Sequence, residues 1–346
     1  MTMMIALILG GLVLLFAGGE FLVRGSVGVA RRLGMSELLI GLTLVGFGTS
    51  MPELVTSLQA LSDGATGLSI GNVIGSNVAN VLLVIGAACV ICPIVTNPRA
   101  LARDGLFMVA VTAVFAAVIW IDGFTRMTGL AFIGVLLVYL VLSVLLDRRK
   151  GSAASEVHSG EAEVIETKEP LLVSLLLAVG GIAGVIFGAR FLVHGGSDLA
   201  RMFGISETVI GLSIVAVGTS LPELVTSVVS ALKGKADVAL GNVIGSNIFN
   251  ILGIMGVSAA VFPFSLMSTP EPAAGTPVDV SAMGYGEMTS LVTMQDMGAL
   301  ALSVFLLVLF AYTGRKLARW EGAVLLLAYA VYMSLSFGIL PRIGGF

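Results

Sequence analysis

Glu53 stands near the middle of a long apolar stretch, within Gly48-Thr49-Ser50-Met51-Pro52-Glu53-Leu54-Val55-Thr56-Ser57. Insertion scales put an acidic residue at the centre of a membrane segment at about 2.5–3.5 kcal/mol, so a carboxylate there marks a functional site. Thr49 and Ser50 precede it by four and three residues, which on a helix sets both hydroxyls on the carboxylate's face. Pro52 has no N–H to donate to the carbonyl of Gly48, and a backbone oxygen is freed beside those side chains. Carboxylate, hydroxyls and carbonyl form an all-oxygen donor set. Such a set suits hard cations: sodium, calcium or, less easily, magnesium.

The donor set occurs twice. Gly218-Thr219-Ser220-Leu221-Pro222-Glu223-Leu224-Val225-Thr226-Ser227 repeats it 170 residues later. A second block keeps the same offset: Gly71-Asn72-Val73-Ile74-Gly75-Ser76-Asn77-Val78-Ala79-Asn80 returns as Gly241-Asn242-Val243-Ile244-Gly245-Ser246-Asn247-Ile248-Phe249-Asn250. Phe21-Leu22-Val23-Arg24 likewise matches Phe191-Leu192-Val193-His194, so one unit is duplicated without insertions. Asn72, Ser76 and Asn80 fall on one helical stripe, as do Asn242, Ser246 and Asn250. The glycines at four-residue spacing in each block would let helices approach, with polar side chains bonding across them. Ligation is the expectation for Ser76, Asn80, Ser246 and Asn250. Packing, or holding broken helices together, is the expectation for Asn72, Asn77, Asn242 and Asn247. A purely ion-paired role for Glu53 and Glu223 is disfavoured, because the basic side chains Arg24 and His194 lie toward helix ends. Glu20 falls outside the motif, since its counterpart Arg190 is basic. Interface placement or pairing is expected there.

The elements that carry these blocks are membrane spans. Of the 346 residues, 57% are hydrophobic and only 11% charged, and the mean hydropathy is +1.06. That composition excludes a pair of soluble domains and identifies a polytopic membrane protein with the bilayer as its surroundings. No nucleic-acid partner is expected. Cys89 and Cys92 build no disulfide framework and read as buried thiols at a helix end. The first apolar stretch lacks a basic leader and runs straight into the repeat, so no cleaved signal is expected. Spans of about 20 residues are predicted near 3–29, 38–61, 66–92, 104–121 and 127–146, and near 171–200, 208–232, 237–262, 297–313 and 321–340.

Five spans per unit is odd, so the two halves cross the membrane in opposite senses. The loops after odd-numbered spans carry Arg31, Arg32, Arg99, Arg103, Arg148, Arg149, Lys150, Lys168, Lys233, Lys235, Arg315, Lys316 and Arg319, whereas the other side carries Arg126, Arg201 and Arg342. This bias places both termini outside and the central loop in the cytoplasm of a multi-pass cell-membrane protein. The predicted fold is therefore all-α, ten transmembrane helices as two inverted five-helix repeats. Residues 1–147 form the first repeat, 148–169 a cytoplasmic linker and 170–346 the second repeat. Inverted repeats with a midplane site are the mark of an alternating-access transporter. The linker, with Glu156, Glu161, Glu163, Glu166 and Glu169, reads as solvated chain too short for a regulatory domain. The connection 263–295 has no Lys or Arg but carries Glu271, Asp279 and Glu287, and reads as a connector.

The paired Gly-Thr-Ser-x-Pro-Glu-Leu blocks, each followed by Gly-Asn-Val-Ile-Gly-Ser-Asn, resemble the α-repeats of the cation/calcium antiporters, in particular the prokaryotic sodium/calcium exchangers. The resemblance covers all ten spans. It implies exchange of calcium for sodium at a central diamond of sites, with no cofactor. Thr49, Ser50, Glu53, Ser76 and Asn80 would line one half. Thr219, Ser220, Glu223, Ser246 and Asn250 would line the other, with backbone oxygens of Gly46 and Ala216 contributing. It further implies that the first and sixth helices slide across a static core. Many such exchangers carry Asp at one of the positions matching Asn80 and Asn250, whereas this chain has Asn at both. The large cytosolic calcium-binding region of animal relatives is also missing.

Two central carboxylates can neutralise one calcium ion, and competition with sodium for the same oxygens gives antiport. The alternative is proton/calcium exchange, or exchange of another divalent cation, against which Gly-Ser-Asn in the second block speaks. A channel would not need an inverted duplicate of its site. An intramembrane hydrolase at Ser50 or Ser220 lacks a base in the motif, so no enzyme is expected. A monomer is expected.

Overall fold

The computed structural model describes residues 2–62, 64, 66–95, 98–121, 123–154, 170–203, 216–265, 294–314 and 316–336. Each of the ten expected spans coincides, over its described residues, with helix. The order is α1 (Thr2–Leu33), α2 (Glu37–Thr49), α3 (Met51–Ser62), α4 (Thr66–Ile91), α5 (Pro98–Trp120), α6 (Arg126–Ala154), α7 (Leu171–Met202), α8 (Ala216–Thr219), α9 (Leu221–Leu232), α10 (Ala236–Val261), α11 (Met294–Gly314) and α12 (Arg319–Ser336). Residues 148–154 of the expected linker continue α6 as helix. The named acidic residues of the linker and of the connection after α10 lie outside the described residues.

Six of these helices are long and apolar enough to cross a membrane, and α2 with α3 forms a seventh span broken by a bend of 43°. The fold is all-α and polytopic. Apolar side chains point outward along α1, α6 and α7, as a hydrocarbon surround permits, while α4 and α10 are buried along most of their length. These two central helices anchor the main core with Ile70, Ile74, Val81, Ile85, Val243, Ile244, Ile251 and Ile254.

α1 and α7 pack as one antiparallel unit. Gly11 of α1 abuts Gly188 and Leu192 of α7, Gly18 abuts Gly184 and Val185, and Gly25 abuts Ser174 and Ala178. As one numbering rises the other falls, so equivalent helices of the two repeats run in opposite senses. The seam is made of backbone against backbone, the close approach that small residues allow in a bilayer. Ile182 and Val193 of α7 then lie over Gly48 and Gly218, next to the breaks of the two interrupted spans.

Two turns repeat as faithfully as the helices. Gly64 and Gly234 occupy the left-handed region at φ 75° and 69°, where a side chain would clash with the backbone. One element has no signal in the apolar pattern: Ile94–Val95 (β1) pairs antiparallel with Lys316–Leu317 (β2), tying the end of α4 to the α11–α12 turn. Cys89 is buried as expected, but Cys92 caps α4 half-exposed, and both are free thiols.

Candidate cation site

The interrupted spans deliver the first group of side chains. α2 ends at Thr49 and α3 begins at Met51, with Ser50 between them at φ −85°, ψ 7°. Ser220 does the same between α8 and α9 at φ −88°, ψ 2°. Both occupy the sparsely populated bridge region, where functional residues are often found. Pro52 and Pro222 follow two residues later. Glu53 and Glu223 therefore sit in the first turns of α3 and α9, where the helix dipole favours a negative charge. Each is about 1% exposed, and Glu53 lies within electrostatic reach of Glu223.

The central helices deliver the second group through wide turns. α4 adopts a π-helical stretch over Asn80–Ile85, α10 over Phe249–Ile254 and α2 over Gly41–Val45. Such stretches are uncommon and concentrate at functional positions. Asn80 and Asn250 stand in two of them. Phe47 stacks on Phe249 at 4.4 Å beside Asn250 and covers that flank.

A reciprocal set of amides fixes the orientation of the two asparagines. Asn80 Nδ2 donates to Asn247 Oδ1 at 3.1 Å, and Asn250 Nδ2 donates to Asn77 Oδ1 at 3.0 Å. Asn77 and Asn247 each donate in turn to the other's backbone carbonyl at 3.4 Å. With its nitrogen committed outward, each of Asn80 and Asn250 turns its Oδ1 the other way. Asn72 Nδ2 ties α4 to α3 through Glu53 O (3.1 Å) and Ser57 Oγ (2.9 Å); Asn242 Nδ2 repeats this with Glu223 O (3.3 Å) and Ser227 Oγ (2.9 Å). These four asparagines act as the braces expected of them. Ser57 and Ser227 were missed, although both lie within the repeated motif.

Acceptor oxygens are left over. Glu53 Oε2, Glu223 Oε2, Asn80 Oδ1, Asn250 Oδ1 and Ser220 Oγ are buried with no hydrogen-bond partner. A buried oxygen without a donor costs on the order of 1–3 kcal/mol, and for the two carboxylates and the two amides this fold repeats the cost in both halves. The residues thus fit a cation bound by oxygen. Among the described residues no group of three or more His, Cys, Asp and Glu collects, at this site or elsewhere.

The other candidates are already partly engaged. Thr49 Oγ1 lies 3.1 Å from Val45 O and 3.2 Å from Asn242 Oδ1. Ser246 Oγ donates to Gly46 O at 3.1 Å, which brings two expected contributors into direct contact. Ser50 Oγ donates to Glu223 Oε1 at 3.0 Å, linking the motif of one repeat to that of the other. Ser76 is buried in α4, Thr219 is half-buried, and Ala216 opens α8.

The sequence model of the sodium/calcium exchanger protein family matches residues 3–145 and 173–338. The chain belongs to that family. It is 33% identical to the sodium/calcium exchanger MaX1 of Methanosarcina acetivorans over 98% of this chain and 99% of that protein. It is 33% identical to the inner membrane protein YrbG of Escherichia coli over 76% of this chain and 81% of that one. Solved structures of the sodium-calcium exchanger NCX_Mj superpose with a TM-score of 0.76 at 31% identity, covering 96% of this chain and 98% of theirs. The membership places the chain among the cation/calcium antiporters.

Proposed function

We propose that this family member is a secondary active antiporter that exchanges calcium for sodium by alternating access at the central site. The observation that carries the reading is the set of buried, unpartnered oxygens on Glu53, Glu223, Asn80 and Asn250, supplied equally by both repeats. Two carboxylates balance the charge of one calcium ion. Thr49, Ser50, Ser76, Thr219, Ser220, Ser246 and the carbonyls of Gly46 and Ala216 complete an oxygen shell that sodium can also use. With Asn at both 80 and 250, the ligand charge comes from the glutamates alone. MaX1 and NCX_Mj bear the name of sodium/calcium exchangers, which supports the same assignment here. The Lys/Arg asymmetry supports outside termini and a cytoplasmic 148–169 segment.

Access supports alternation. A cavity of about 600 Å³ reaches Pro52 and Thr219 from the end where Leu7, His194 and Arg201 lie, the face assigned to the outside. The test is calcium-45 uptake into proteoliposomes with sodium and proton gradients imposed separately. Uptake is expected to follow the outward sodium gradient at constant pH. Uptake driven by the pH gradient in sodium-free buffer would favour proton exchange instead.

The amide brace gives a second expectation. Asn247→Ala removes the acceptor of Asn80 Nδ2 and the donor to Asn77 O. Asn80 Oδ1 is then no longer held toward the site. Losing one such buried hydrogen bond is worth on the order of 1–3 kcal/mol, so the half-saturating calcium concentration should rise about ten-fold. Calcium titration of uptake, beside the thermal midpoint of the purified protein, checks this; unchanged calcium dependence would remove Asn80 from the site.

A further inference from the structure

The two ends of the site are closed differently. On the face bearing residues 33–36 and 233–235, α1 lies against α9, with Gly19 meeting Val225 and Val229. Lys233 Nζ at the end of α9 donates to the carboxylate of Glu20 on α1. Close by, Lys235 bonds Glu37 at 2.7 Å, joining the starts of α10 and α2.

Adding or subtracting 170 transfers each residue to the opposite face, where the same helices stand apart. Ala189 and Val55, counterparts of Gly19 and Val225, both line the cavity between α7 and α3. Val55 is 56% exposed, whereas its counterpart Val225 on the closed side is half-buried. Arg190, the counterpart of Glu20, also lines the cavity and makes no ion pair among the described residues. The signs are exchanged along with the positions. Glu20 and Lys233 become Arg190 and, in the sequence, Asp63.

We infer that Glu20 and Lys233 form a latch that holds α1 on α9 while the site is open through the α3–α7 cavity, and that it must part for the opposite-facing state. The inference rests on the transport reading for its purpose but not for its measurement. Glu20 projects from a helix whose surface is largely apolar and exposed, and a lone carboxylate there is unfavourable. The long Lys233 stem reaches back to it. Both side chains remain partly exposed, 48% and 33%, so the pair contributes little to the buried core. Retaining an oppositely charged pair at the mirror positions is what a reversible carrier needs at its other end. A static anchor would need only one.

The experiment uses the full chain in proteoliposomes, in a Cys89→Ala, Cys92→Ala background with Val55→Cys as reporter of the open cavity. A membrane-impermeant maleimide is added outside, with neither sodium nor calcium required. An ion pair of this exposure shifts a two-state balance by about two- to five-fold. Glu20→Gln and Lys233→Gln are each expected to slow labelling of position 55, by at most that factor. The reversed pair, Glu20→Lys with Lys233→Glu, should restore the parental rate, and Arg190→Gln should not slow it. Labelling unchanged in both single variants, or a folded reversed pair (parental thermal midpoint) that fails to restore it, overturns the latch. Because labelling is read without transport, failure of sodium-driven uptake would strike the functional reading and leave this result standing.

Discussion

Glu53→Gln and Glu223→Gln should each reduce sodium-driven calcium uptake at least 100-fold while leaving the protein folded. Each substitution keeps the size of the side chain and removes one of the two charges facing the site. Removing one member of a buried opposite-charge pair typically costs about 3–5 kcal/mol, and every 1.4 kcal/mol is about ten-fold in binding. The free protein should not suffer in the same way, because a neutral amide is less costly to bury than a carboxylate. The thermal midpoint of the purified variants should therefore match or exceed the parent without ions, but the rise on adding calcium should vanish. Calcium-45 uptake and paired melting curves separate these effects. Near-parental uptake by either variant would make that glutamate structural. Ser50 Oγ donates to Glu223 Oε1, so the two substitutions should differ in detail, with Glu223→Gln also altering the contact between the motifs.

Gly18→Ala is expected to lower both stability and transport, in contrast with Gly10→Ala one face away. A Cβ on Gly18 would stand 2.6 Å from Val185 N, 2.8 Å from Gly184 C and 3.0 Å from Gly181 O, all backbone atoms that cannot rotate aside. α1 and α7 would have to separate. Overpacking of this kind costs about 1–3 kcal/mol. A Cβ on Gly10 meets nothing within 4 Å, and alanine favours the helix by about 1 kcal/mol over glycine. Thermal midpoints and uptake of the two variants, measured side by side, decide it. Equal behaviour would mean that the α1–α7 seam tolerates an opening, and the pair would not act as one body.

Much of this was legible in the sequence because the repeat is written in residues that are costly to place in a membrane. Glu53, Asn80 and their mates stand out against an apolar background, and the constant offset shows that they come in pairs. The braces could be read only in part. Asn77 and Asn247 were visible as polar residues just after the paired glycines, but their crossed bonds to Asn250 and Asn80 depend on how α4 and α10 cross. The π-helical turns at Asn80–Ile85 and Phe249–Ile254 left no mark, since an extra residue in a turn does not change residue type. The β1–β2 contact was hidden for a related reason: Ile94 and Leu317 are far apart in sequence and read as ordinary loop ends. The pairing of Glu20 with Lys233 needed the tertiary fold, because neither residue belongs to a repeated motif.

The glycine seam between α1 and α7 has a thermodynamic consequence. Two helices exchanged by the pseudo-twofold axis and packed along their length form a body that a half-turn nearly returns to itself. Moving that body across the core and then turning the molecule over leads back to almost the same arrangement. The two end states of the proposed cycle are then close to isoenergetic, and neither direction of flux is built in. The ion gradients supply the direction. What remains to bias an unloaded carrier is the short set of positions where the halves disagree, such as Gly19 against Ala189 and Glu20 against Arg190, and a bias of that size is within reach of a single substitution.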